Sequence, residues 1–179
     1  MTKNYLLQSI GSLFLGVLLC SPVLGQSSQV KCGPDHAILY KKAVKLVDSA
    51  EKKLAAKYTA EAKAQVKEAN SLFSVLVKEC GPLQKERSLT EAETAEEAQN
   101  NKAKEEAMAQ ISQLEKSYEA NLKKAQEAQV KGQNELADRY ARQAKEESEK
   151  ANVLAIKAEI YALKNQQMIF RFLADQRTP

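Results

Sequence analysis

The sequence predicts an all-α chain of two antiparallel helical hairpins behind a signal peptide. The first is short and clamped by a disulfide; the second is long and resembles a coiled coil with an alanine seam. Three observations predict it. Ala, Glu, Lys and Gln dominate, Trp is absent and Pro numbers only four, a composition that favours helix and lacks the β-branched clusters of strands. Apolar residues recur at steps of three and four in four successive segments. Two copies of one tripeptide, Cys32-Gly33-Pro34 and Cys80-Gly81-Pro82, bracket the first two segments.

Residues 1–25 read as the signal peptide. Lys3 is the only charge before Lys31, and Leu13 to Leu19 form an apolar core behind it. Val23-Leu24-Gly25 offers a cleavage site, so the mature chain starts at Gln26 and Cys20 leaves with the leader. A membrane anchor needs about 18 nearly continuous apolar residues, whereas Gln8, Ser9, Ser12, Ser21 and Pro22 interrupt this stretch. The alternative is lipidation of Cys20, against which the bulky Leu19 argues. After cleavage Cys32 and Cys80 are the only cysteines, and two cysteines in an exported chain pair. Closing that loop stabilises by roughly 4 kcal/mol on the chain-entropy account.

Residues 26–85 form the short basic hairpin. Asp35 is positioned to cap its first helix, whose apolar series is Leu39, Ala43, Leu46, Ala50 and Leu54; Thr59 is positioned to cap the second, with Ala62, Val66, Ala69, Phe73 and Leu76. Folded antiparallel, 39 meets 76, 43 meets 73, 46 meets 69, 50 meets 66 and 54 meets 62, one register throughout. That register brings Cys80 to Cys32, where Gly-Pro breaks the helix and lets the chain turn. A single straight helix from 35 to 80 would hold the two ends about 65 Å apart.

Residues 86–179 form the long hairpin. Ser88 with Glu91 fits a capping box, and Glu91, Glu93, Glu96 and Glu97 suit a helix N-terminus. Ala107, Ile111, Leu114, Tyr118, Leu122, Ala125 and Ala128 then form a stripe, Gly132 and Asn134 make the turn, and Ala137, Ala141, Ala144, Ser148, Ala151, Ala155, Ala158 and Ala162 form a heptad seam of small residues. Pairing 111 with 155, 114 with 151, 118 with 148 and 122 with 144 favours the intrachain hairpin over a self-associating coiled coil. Met168, Ile169, Phe170, Phe172 and Leu173 are too apolar to face only Ala92, Ala95 and Ala98. A base shared with Leu72, Val75, Val77, Leu83 and Leu89 is therefore expected, with the long hairpin projecting from it.

Ala56-Lys57-Tyr58-Thr59-Ala60-Glu61-Ala62 and Glu135 to Ala144 (ELADRYARQA) resemble the Ala- and Tyr-rich helical hairpins of an uncharacterised domain family in bacterial envelope proteins and lipoproteins. The second segment also resembles one helix of a tetratricopeptide unit, without its Trp/Gly/Pro framework. Neither match covers more than about a third of the chain; the resemblance implies a bacterial envelope location and carries over no functional residue.

The net charge of +4 is unevenly spread: residues 26–85 carry 11 Lys against 6 acids, while 86–106 carry 3 basic and 7 acidic residues. No Arg cluster interleaved with aromatics supports nucleic-acid binding. Lys41, Lys42, Lys45, Lys52 and Lys53 give the first helix a basic side for anionic lipid, polysaccharide or an acidic partner, or else a solvated face. His36 reads as an exposed cap-region residue, and the pairs Glu96-Glu97, Glu105-Glu106 and Glu146-Glu147 as solvated faces. No hydrolase elbow, phosphate loop or redox Cys-x-x-Cys is present, so no catalytic, cofactor or metal residue is assigned. The expectation is a non-enzymatic structural or interaction protein, exported to the periplasm or cell surface of a bacterium, with an unknown protein or envelope partner. Peripheral membrane association is allowed, and monomer or homo-oligomer is left open. The alternatives are a surface-exposed (lipo)protein adhesin binding host or matrix ligands, and a lipid-binding bundle that opens at its seam.

Overall fold

The structure, a computed structural model, describes residues 32–84 and 88–174. The cleavage site at Gly25 and Gln26 and the alternative lipidation site Cys20 lie outside the described residues. The described residues are all-helical: α1 (Pro34–Ala55), α2 (Thr59–Gln84), α3 (Glu91–Val130) and α4 (Asn134–Ile169) are followed by a 3-10 turn at Arg171–Leu173. α1 packs along α2 and α3 along α4. Cys32 and Cys80 are disulfide-bonded, with their Cα atoms 4.9 Å apart.

Three helix ends differ from the sequence expectation. α1 is capped by Gly33 rather than Asp35, because Pro34 takes the first helical position, where its fixed φ fits and its missing N–H costs nothing. α2 does not break at Gly81-Pro82 but runs on to Gln84. Pro82 sits in the last turn, and the preceding Gly81 has no Cβ to clash with the ring. α3 is capped by Thr90, not Ser88: the Glu93 N–H donates to Thr90 Oγ1 at 3.2 Å, and the Thr90 N–H donates to Glu93 Oε2 at 2.9 Å. Both Ser88-x-x-Glu91 and Thr90-x-x-Glu93 satisfy the capping pattern. The choice falls to a distant residue, since Arg171 donates to Glu93 Oε1 at 3.2 Å and Glu93 is buried.

Both hairpin turns use one device. The Lys57 N–H bonds the Leu54 carbonyl and the Tyr58 N–H the Lys53 carbonyl; in the same way, Gly132 bonds Gln129 and Gln133 bonds Ala128. This is the Schellman closure, which needs a left-handed residue after the cap. Lys57 (φ 65) and Gly132 (φ 71) occupy that position.

Ala43, Val47, Ala50, Ala62, Val66, Ala69, Phe73 and Leu76 are completely buried between α1 and α2. Each large member of this set contributes about 1.5–3 kcal/mol by leaving water. Tyr40 meets Phe73 edge to face at 6.4 Å between ring centroids and donates its hydroxyl proton to the Gln167 carbonyl at 3.0 Å.

The C-terminal half of α4 completes this core. Ile156, Ile160, Leu163, Phe170 and Leu173 join the α1–α2 cluster, with Ile169 and Phe172 partly buried against it. α4 is therefore apolar on two sides here, as a helix between two partners must be. One side holds the alanine seam toward α3, and the other, 156/160/163, faces the short hairpin. The expected partners are only partly used: Leu72 packs on the cluster, but Val77 and Leu83 are exposed and Phe73, Leu76 and Cys80 take their place.

Candidate interaction site at the junction of base and arm

α1, α2 and the C-terminal half of α4 form a three-helix base. Among the described elements α3 packs along α4 alone, and a side-chain pair, Arg171 with Glu93, ties its start to the 3-10 turn. The α4 residues of the shared core begin at Ile156, which leaves about 20 residues of each long helix, roughly 30 Å, projecting as a two-helix arm.

Where the arm leaves the base, a cleft of about 1390 Å³ opens. Its lining comes from the α1–α2 turn (Leu54, Lys57, Thr59), from α3 (Gln110, Gln113, Leu114, Ser117) and from α4 (Glu146, Glu149, Lys150, Val153, Leu154). The four aliphatic side chains form a partly exposed apolar floor and the charged ones a mixed rim. The cleft exists because the short hairpin stops where the long one continues. Sequence reading missed it. The available signal was Val153-Leu154, which are apolar, lie off the alanine seam and sit N-terminal to the base-facing 156/160/163 stripe.

The five lysines of α1 do not line this cleft. Lys42 pairs with Glu68 at 2.7 Å, and Lys53 pairs with Glu61 and lies over the Tyr58 ring. The hydrogen bond from Lys53 to Glu61, and then the carboxylate's charge, hold its ammonium pKa above the ordinary lysine value. Lys41, Lys45 and Lys52 are exposed and form no ion pair with a described residue, with Asp48 exposed between them.

At the opposite end of the base, His36 is buried, not exposed as expected. The Gly33 N–H donates to Nδ1 at 3.0 Å, so Nδ1 carries the lone pair and Nε2 the hydrogen, which is donated to Glu79 Oε2 at 2.7 Å. One imidazole thus ties the start of α1 to the end of α2 beside the disulfide.

Polar contacts fix the long hairpin. Asn100 and Asn165 are joined across α3 and α4, and the Glu147 carboxylate accepts from Ser117 and from Asn121. In the seam, Ala144 and Ala158 are buried, Ala151, Ala155 and Ala162 half-buried and Ala141 exposed. Tyr118, Tyr140 and Tyr161 are half-buried, and lysines lie over the rings of the last two. No described helix is long and apolar enough to cross a membrane. No family model, curated protein or solved structure matches this chain.

Proposed function

We propose that this protein is an exported, non-enzymatic interaction module of the bacterial cell envelope, in which a disulfide-clamped base holds a projecting arm and the junction cleft receives a helical segment of a protein partner. The carrying observation is the base-and-arm geometry. Apart from the Arg171–Glu93 pair at its start, α3 packs on α4 alone, so the arm presents most of its surface outward. A ten-residue helix, at 10 Å diameter and 1.5 Å rise per residue, occupies on the order of 1200 Å³, a size suited to the cleft. The apolar floor of Leu54, Leu114, Val153 and Leu154 fits a partner's apolar stripe, and the rim of Glu146, Glu149, Lys57 and Lys150 fits its mixed-charge flanks.

Export is supported by the leader pattern and by a cysteine pair that an oxidising compartment would keep closed. The non-enzymatic reading is supported by His36, the only histidine, whose two ring nitrogens are both engaged in holding the hairpin end.

Photo-crosslinking from Val153 in intact cells tests the module. A discrete protein adduct from Val153, lost on Leu154→Glu and absent from Lys63 on the outside of the base, is the expected result; equal labelling from both positions counts against the cleft. Reversing Lys41, Lys45 and Lys52 to Glu tests the basic face, and unchanged adduct yield removes it from the partner surface. A surface-exposed lipoprotein adhesin is the second reading, motivated by Cys20 behind its apolar core. Protease added to intact cells separates the two, because only a surface protein is cut.

A further inference from the structure

The Cys32–Cys80 end of the base holds more than a crosslink. The two sulfurs and one ring nitrogen of His36 all lie within 4.8 Å of one another. With Zn–S bonds near 2.3 Å and Zn–N near 2.0 Å, ligand atoms around a tetrahedral ion stand about 3.4–3.8 Å apart. With the S–S bond open, a modest parting of the two sulfurs beside the imidazole gives a coordination shell of that scale. It is also preorganised: Cys80 is completely buried, His36 is 8% exposed and Cys32 is half-buried.

A metal-binding histidine donates its far N–H to a carboxylate, which fixes the tautomer and strengthens the near nitrogen as a donor. His36 meets this condition already, with Nε2–H on Glu79 and the lone pair of Nδ1 turned toward the Cys32-Gly33 backbone. Glu79 is adjacent in sequence to Cys80, so α2 supplies a sulfur and the orienting carboxylate from neighbouring positions.

We propose that Cys32, His36 and Cys80 form, when the disulfide is reduced, a three-ligand site for a thiophilic divalent cation such as Zn²⁺. The disulfide and the metal exclude each other. A dithiol reductant gives two electrons and two protons to the S–S bond, yielding two cysteine thiols and the reductant's own disulfide. Binding one M²⁺ then releases two protons, one from each thiol. His36 Nδ1 is the third ligand and exchanges its bond from the Gly33 N–H for one to the metal. The half-buried Cys32 side leaves the fourth position to water. In the reverse step a small-molecule disulfide takes the two electrons of the bound thiolates and two protons from solvent, leaves as its dithiol, and the Cys32–Cys80 bond re-forms with release of the ion. In either state the open end of the α1–α2 hairpin stays closed. This proposal rests on the cluster alone, independently of the junction cleft.

The test uses the full chain carrying Cys20→Ser, so that no third thiol competes. Reduced protein is titrated anaerobically with Co²⁺. The expected result is one ion per chain, with thiolate-to-cobalt charge-transfer bands and tetrahedral visible bands; Zn²⁺ bleaches them and disulfide formation abolishes them. His36→Ala, with helicity retained by circular dichroism, weakens binding at least tenfold and alters the visible bands. Should His36→Ala lose its helicity, Glu79→Gln replaces it, keeps all three ligands and weakens binding by about 10–100-fold. No cobalt uptake after reduction, uptake that is unchanged in the informative variant, or equal uptake by oxidised protein overturns the proposal. Loss of helicity on reduction that Co²⁺ fails to restore also overturns it.

Discussion

Asn100 Nδ2 donates to Asn165 Oδ1 at 2.9 Å across the α3–α4 seam, and both amides are nearly buried. Asn165 in turn donates to Asn101 Oδ1 at 3.0 Å. A seam of alanines offers little shape to resist sliding by a turn. A buried amide pair does resist, because slippage leaves donors and acceptors without partners.

Replacing Asn165 with Ala should therefore destabilise the protein by about 1–3 kcal/mol, since it strands the Asn100 amide. Asn100→Leu with Asn165→Leu should cost less than the two single changes together, because neither polar group is left behind. Urea denaturation in a double-mutant cycle reads the coupling. Strict additivity would mean that the pair does not fix register.

Lys57 and Gly132 hold the same left-handed position in two equivalent turns, but only one is glycine. A side chain at positive φ costs about 1 kcal/mol or somewhat more, partly offset by glycine's larger entropy loss on folding. Lys57→Gly is expected to raise stability by about 0.5 kcal/mol. Gly132→Ala should lower it by about 1 kcal/mol. Midpoints of chemical denaturation for the two variants decide the sign of each.

Reducing the Cys32–Cys80 bond in metal-free buffer should lower stability by up to about 4 kcal/mol, because the unfolded chain regains the freedom of a loop of about 49 residues. A lower urea midpoint is the signature. An unchanged midpoint would show that the unfolded chain already holds the two ends together.

Leu173 is completely buried in the base, whereas Val130 at the arm tip is 89% exposed. Leu173→Ala should cost about 2–5 kcal/mol through lost burial and a residual cavity. Val130→Ala should stay within about 0.5 kcal/mol of the parent. Similar values for both would contradict the docking of the C-terminal turn on α1 and α2.

Arg171 reaches back to the buried Glu93 at the α3 cap. Its own side chain is largely exposed, so Arg171→Ala should cost only about 1 kcal/mol. The loss should shrink at high salt if charge is the cause. Glu93→Ala removes both the ion pair and the capping box and should cost more, about 1–2 kcal/mol. Thermal melts at low and high salt separate the two contributions.

Helix content, four helical segments and part of the buried series of each hairpin were legible in the sequence because they rest on a period of 3.6 residues written into each segment. The approach of Cys80 to Cys32 follows from that period and one turn, but the α1 series is only partly met: Ala43 and Ala50 are buried, whereas Tyr40 and Val47 occupy the core and Leu39, Leu46 and Leu54 are half-buried, because α4 docks beside α2 and draws Tyr40 onto Gln167. What the sequence left open are choices between locally equivalent options. Two overlapping capping boxes compete, and Arg171, 78 residues from Glu93, favours one. A Gly-Pro pair reads as a helix breaker, yet α2 continues through it to Gln84. His36 reads as an exposed cap neighbour, but Glu79 from the other helix end holds it in the interior. The junction cleft belongs to the same class. Its walls come from three helices far apart in sequence, and it exists only because the short hairpin docks on the second apolar side of α4 and ends before the arm does. Local periodicity thus determined which residues form helices, broadly which sides they bury and which neighbours pair as hairpins. Only the tertiary contacts decided how the short hairpin docks on α4, where the helices begin and end, and where the surface is left open.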